Sequence, residues 1–104
     1  MSAITREQVA AVLSRYDVGA ACAWRPAGGT ANANAQVETA SGRWFLKRRN
    51  PKYADLAFVA FDHRLMEHCA ARAVGTPLAV AGRDGLRWCV HEGEVYELYP
   101  FHPG

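Results

Sequence analysis

GGTANANAQVETASGRWFLKRR, residues Gly28 to Arg49, divides into a polar loop, a short strand, a tight turn and a second strand. Thr30 to Asn34 offers no large apolar side chain to bury and reads as a loop. Ala35 to Thr39 suits a strand, and Ala40-Ser41-Gly42 a hairpin turn. Arg43 to Arg48 then returns as a strand. Its alternation puts Trp44, Leu46 and Arg48 on one side and Phe45 and Lys47 on the other. Asn50-Pro51 breaks it.

Working upstream, Ala20 to Arg25 is a further short strand, punctuated by Pro26, Gly28 and Gly29. A helix precedes it. Thr5 and Gln8 form a capping box, each side chain able to satisfy a backbone N–H of the first turn. Val9, Val12, Leu13 and Tyr16 follow at helical spacing on one face, and Asp17 and Gly19 end the helix. Working downstream, Leu56 to Ala73 reads as a second helix with Phe58, Phe61, Leu65, Met66 and Cys69 along its apolar stripe, terminated by Gly75 and Pro77. Leu86 to His91 and Val95 to Tyr99 are strands around Glu92-Gly93-Glu94, and Pro100 to Gly104 is linker-like. The order predicts an α+β fold: a five-stranded antiparallel sheet with one helix packed across it, plus an N-terminal helix.

Composition bounds the partners. The chain has 104 residues, enough for one core, and 12 basic against 10 acidic side chains give a net charge of +2. That balance is too weak to argue for nucleic acid or an anionic membrane, and neither is expected as a partner. The three cysteines, Cys22, Cys69 and Cys89, are widely spaced without a CxxC pair, and read as buried free thiols in a reducing, cytoplasmic setting rather than a zinc or disulfide framework. No stretch approaches the roughly 18 apolar residues of a membrane span. His63, His68, His91 and His102 show no metal-ligand or triad spacing and read as scattered neutral histidines.

Three features could carry chemistry. The glycines of Gly28-Gly29 allow close backbone approach to a ligand, and Thr30, Asn32 and Asn34 can donate to phosphate oxygens. The same residues serve a plain hairpin turn equally well. Lys47 sits in a strand beside apolar neighbours and must reach solvent, a cleft or a counter-charge. It reads either as an exposed strand lysine or as a point charge under a phosphate. Asp62, on the helix face that also carries Met66 and Cys69, can point at the sheet and pair with Lys47, or be a surface carboxylate. Glu67 lies about 140° further round the helix and is the reserve partner.

The order of glycine loop, strand lysine, helix carboxylate and closing hairpin resembles the small lobe of protein-kinase-like folds. In detail the chain is similar to the aminoglycoside phosphotransferase family and its type II homoserine kinase-like members. The residues behind this are GGTANANAQVETASGRWFLKRR, LMEHCAARAVGTPLAV (Leu65 to Val80), VYELYPFHPG (Val95 to Gly104) and the opening ITREQVAAVLSRYDVG. The resemblance implies a nucleotide-binding N-terminal lobe over residues 1–104 for ATP or GTP. Lys47 would contact the α- and β-phosphates, with Gly29, Thr30, Asn32 and Asn34 in the loop over them. Val37 would pack on the base, Tyr99 to Phe101 would supply hinge groups for its edge, and Asp62 would stand where the family's helix usually has Glu.

The family's catalytic His-Gly-Asp loop and its Mg²⁺-binding Asp belong to a helical second lobe. No His-Gly-Asp occurs among these residues. No catalytic residue or metal ligand is therefore assigned, Mg²⁺ is expected only with a C-terminal lobe, and the chain alone is expected to be inactive. Two alternatives stand beside the kinase lobe: a non-catalytic binding or dimerisation module of the same fold, and an unrelated α+β domain. A lobe without its partner would expose apolar surface around Val37, Leu98, Tyr99 and Phe101, so self-association or pairing with a C-terminal lobe is expected. The small-molecule acceptor would bind mainly to that second lobe.

Overall fold

In a computed structural model, which describes residues 3–27, 33–72 and 78–101, two α-helices flank a five-stranded antiparallel sheet. The elements are α1 (Arg6–Leu13), β1 (Ala21–Ala27), β2 (Ala33–Thr39), β3 (Gly42–Arg48), a 3₁₀ turn (Pro51–Tyr53), α2 (Leu56–Ala70), β4 (Cys89–His91) and β5 (Glu94–Pro100). The strand order is β1-β2-β3-β5-β4. The α+β architecture is that of a kinase-like small lobe.

α1 begins as its sequence dictates. The Gln8 amide donates to Thr5 Oγ1 at 3.2 Å and the Thr5 amide donates to Gln8 Oε1 at 2.8 Å, closing the capping box. Val9, Val12, Leu13 and Tyr16 are buried as their spacing predicts. With Ile4 they pack on Ala35, Val37, Leu46, Tyr96 and Leu98 of the sheet, and this is the hydrophobic core. The β2–β3 turn is pinned to the segment after α1: Ser41 Oγ donates to the Val18 carbonyl at 2.7 Å, and Trp44 Nε1 donates to Thr39 Oγ1 at 3.0 Å.

Several boundaries differ from the sequence reading. β1 runs on through Pro26 to Ala27. A proline has no N–H to donate, but β1 is an edge strand bonded only to β2, so none is missed there. β4 has three residues rather than six, because Gly82 to Leu86 folds into a turn in which the Gly82 amide donates to the Leu86 carbonyl at 2.7 Å. Glu92 and Gly93, both at positive φ (50° and 79°), make the two-residue turn into β5. The helix stop at Gly75 and Pro77 and the linker after Phe101 lie outside the described residues.

The larger correction concerns α2. Its expected apolar stripe faces outward: Phe58, Phe61 and Leu65 are 48%, 56% and 49% exposed, and Cys69 is exposed too. Val59 and His63 are the buried residues of the helix. The sheet face that α2 meets carries charged side chains, so the helix docks through polar partners and one valine. The apolar surface expected around Val37 and Leu98 is absent, since both are buried under α1, and Tyr99 and Phe101 are half-buried. The cysteines also depart from expectation. Cys89 is buried, but Cys22 and Cys69 are exposed.

Candidate nucleotide site on the sheet

Strand pairing decides which side chains share a face, because directly opposed residues point the same way. Lys47 is opposed by Asn34 on β2 and by Glu97 on β5. Two residues along, Phe45 is opposed by Gln36 and by Tyr99. The face turned away from α1 therefore carries two cross-strand rows, Asn34-Lys47-Glu97 and Gln36-Phe45-Tyr99. All but Glu97 are partly exposed, so the rows form an open floor with a cation at one end and two rings beside it.

Val37 is not on this floor. It opposes Trp44, lies on the α1 side with Leu46 and is 1% exposed. A one-residue step along a strand reverses the face, and Gln36 takes the position next to Phe45. The Gln36 amide oxygen accepts from Arg25 Nε at 3.2 Å and Nη2 at 2.9 Å, which fixes its orientation. Gln36, Arg25, Trp24, Trp44, Phe101 and the buried Val37 border a hollow of about 400 Å³ at the hairpin end of the sheet. It lies away from Lys47, so the lysine and the hollow mark opposite ends of the floor. The Phe101 amide is committed to the Arg43 carbonyl at 3.1 Å and Pro100 has no N–H, so neither offers a backbone donor at this end. Gly29, Thr30 and Asn32 lie outside the described residues.

Behind the lysine is a buried charge network. Glu97 has no exposed surface. Arg49 grips it with both arms of the guanidinium, Nε to Oε1 at 2.8 Å and Nη2 to Oε2 at 2.9 Å, a bidentate pairing that arginine geometry favours. Arg49 Nη2 also reaches Asp62 Oδ2 at 2.6 Å, and Nη1 donates to the Tyr53 carbonyl at 3.2 Å. His63 Nε2 is hydrogen-bonded to Glu97 Oε2, and its ring stacks on Trp88 with centroids 5.3 Å apart. Lys47 Nζ stands 4.0 Å from Glu97 Oε1.

The energetics follow from this geometry. Burial alone would push the Glu97 carboxyl upward, but the hydrogen bonds and charges of His63 and Arg49 outweigh it and bring the carboxyl from an ordinary 4.5 down to about 2. Burial would likewise favour loss of the Arg49 proton, and its bonds to Glu97 and Asp62 reverse that and hold the proton more tightly. Burial, then the nearby Glu97 charge, raises the Tyr99 phenol well above its usual range. The floor thus presents Tyr99 as a neutral phenol ring.

The helix carboxylate does not meet the lysine. Asp62 binds Arg49, and Glu67 binds Arg87 Nε at 3.1 Å. Asp62 is one methylene shorter than glutamate, whereas Arg49, two residues beyond Lys47 on the same side, has the reach to bridge. Three participants were missed from sequence: Glu97, Arg49 and His63. Their signal was a carboxylate inside the apolar strand VYELY and a second cation at strand period after Lys47. Reading His63 as one scattered histidine among four overlooked its place beside Asp62 on the docking face.

Among the described residues no group of three or more His, Cys, Asp or Glu side chains could hold a metal ion, and no helix is long and apolar enough to cross a membrane. Comparison with known proteins adds the context of the whole lobe. The chain is 41% identical over 106 residues to a homoserine kinase of Granulibacter bethesdensis, which covers 97% of this chain and 32% of that protein. It is 35% identical over 104 residues to a homoserine kinase of Acidiphilium cryptum, with the same coverage. A homoserine kinase of Azorhizobium caulinodans is 32% identical over 93 residues, covering 88% of this chain and 29% of that protein. The chain therefore spans about a third of the length of the curated relatives it matches. Residues 24–104, from the middle of β1 through the whole lysine floor, match the profile of the phosphotransferase enzyme family, and the chain belongs to that family.

Proposed function

We propose that this chain is the nucleotide-binding lobe of a small-molecule kinase that transfers a phosphoryl group from ATP to a hydroxyl. The observation that supports it best is the lysine floor: Lys47 held at one end of a partly exposed face, with the rings of Phe45 and Tyr99 beside it. Flat rings suit a nucleotide base, and an ammonium suits the phosphates that hang from it. Asn34, opposite Lys47, places a polar side chain in the same row. The relatives' names make homoserine the first acceptor to try. Phosphoryl transfer depends on a base and on metal ions that neutralise charge. The sequence holds no His-Gly-Asp run, so we assign the base, Mg²⁺ and most acceptor contacts to a second lobe, and the 104 residues alone bind nucleotide without turning it over.

Calorimetric titration with Mg²⁺-ATP and Mg²⁺-GTP, beside Lys47→Ala, tests this. The expected result is weak ATP binding that falls about tenfold or more in Lys47→Ala, the loss of one charge-assisted phosphate contact. Equal binding by both proteins would remove Lys47 from the site. One observation favours a second reading, a non-catalytic dimerisation module of the same fold: the outward apolar face of α2, with Phe58, Phe61 and Leu65 about half exposed. A folded chain that associates through this face and binds neither nucleotide would favour that reading.

A further inference from the structure

We infer that Glu97, clamped by Arg49 and His63, is the positioning residue for Lys47, so that α2 is coupled to the lysine through a relay on β5 and not by a carboxylate of its own. The inference rests on the nucleotide-binding reading of Lys47 and names what holds that side chain in place.

Each oxygen of Glu97 has a defined duty. Oε2 accepts from Arg49 Nη2 and from His63 Nε2. Oε1 accepts from Arg49 Nε and is the oxygen that faces Lys47. A carboxylate with both oxygens engaged and no exposed surface cannot turn away. Its opposition to Lys47 across β3 and β5 is set by backbone register, so the negative charge is fixed on the side of the lysine away from solvent. The 4.0 Å separation matters as much as the attraction. It exceeds hydrogen-bonding distance, so Glu97 orients the ammonium by charge and leaves its three donors free for a ligand. The Lys47 side chain is 31% exposed, which gives a ligand access from the open side.

Charge counting explains Asp62. Arg49 alone would neutralise Glu97 and leave nothing for the lysine. Asp62 binds Arg49 from the far side, so two basic side chains, Lys47 and Arg49, are matched by two carboxylates, Asp62 and Glu97. Asp62 and His63 are adjacent on α2, one touching Arg49 and the other Glu97. Moving the helix would release both restraints at once, and with them the charge that aims Lys47.

The test is calorimetric binding of ATP and of adenosine to the full chain, with thermal melting to confirm folding. The unmodified chain is expected to favour ATP over adenosine, and Lys47→Ala to lose that preference. Glu97→Gln is expected to weaken ATP about tenfold and leave adenosine unchanged, and to add nothing when combined with Lys47→Ala. Glu97→Gln leaves the buried Arg49 with Asp62 as its remaining carboxylate, so a second variant, Arg49→Met with Glu97→Leu, replaces the pair by apolar side chains. It is expected to show the same selective loss. If both variants fold and keep the preference that Lys47→Ala loses, Glu97 is structural only and the positioning role falls while the nucleotide site stands. If ATP and adenosine weaken together, the variants distort the whole floor and the role falls too. If the unmodified chain shows no preference for ATP, the reading of Lys47 falls and the positioning role with it.

Discussion

Glu97 is an ionised carboxylate with no exposed surface, and it ties the stability of the fold to pH. Its folded-state value lies near 2 against an ordinary 4.5, so the unfolded chain takes up this proton before the folded one does. The stability it confers is fully present above the unfolded value and is lost as pH falls from about 4.5 towards 2. Linkage puts that contribution on the order of 3 kcal/mol. Urea unfolding at pH 7, 4 and 3 should show the loss. Glu97→Gln should be less stable at pH 7 by a similar amount, because buried Arg49 loses its bidentate carboxylate and keeps only Asp62, and should lose less on acidification. Parallel pH slopes for the two proteins would mean that another group dominates acid unfolding.

Elements in this lobe are set by local signals that can be tested one at a time. The Thr5–Gln8 capping box closes α1 as written in the sequence. Thr5→Ala should cost about 1 kcal/mol, seen as a fall of roughly 4–8 °C in Tm. In the β4–β5 turn, Glu92 holds φ of 50°, where a side chain costs about 1 kcal/mol and asparagine is better tolerated. Glu92→Asn should raise stability by about 0.5 kcal/mol in chemical denaturation; a decrease would mean that the glutamate side chain makes a compensating contact. α2 shows the limit of such signals. Its apolar period is visible in sequence and correct as a helix signal, yet the stripe it defines points outward.

At the scale of the whole molecule the two sheet faces divide the work. One face and α1 make the core, and the other carries the charge network and the open floor. The outer surface of α2 adds Phe58, Phe61 and Leu65 as one apolar patch, and such patches on soluble proteins drive association. Sedimentation velocity should show the average mass rising with concentration, and Phe58→Glu with Phe61→Glu should return the chain to monomer. A concentration-independent monomer in the unmodified protein would show that α2's outer face is tolerated in water.

The α+β class, the strand lysine and the sharing of a face by Phe45 and Lys47 were legible in the chain. Each is a matter of period, punctuation or capping within a few residues. So was the resemblance to a kinase-like lobe, which rests on the order of such features. Strand register and helix docking were decided only in the folded molecule. Val37 and Gln36 are neighbours in sequence, and either could have faced the floor until pairing with Trp44 and Phe45 assigned them. Asp62 could have met Lys47 until Arg49, with longer reach and two arms, bridged it to Glu97. α2 could have buried its phenylalanines until the sheet presented it with charges, and a buried carboxylate without its arginine and histidine would have been too unfavourable to keep.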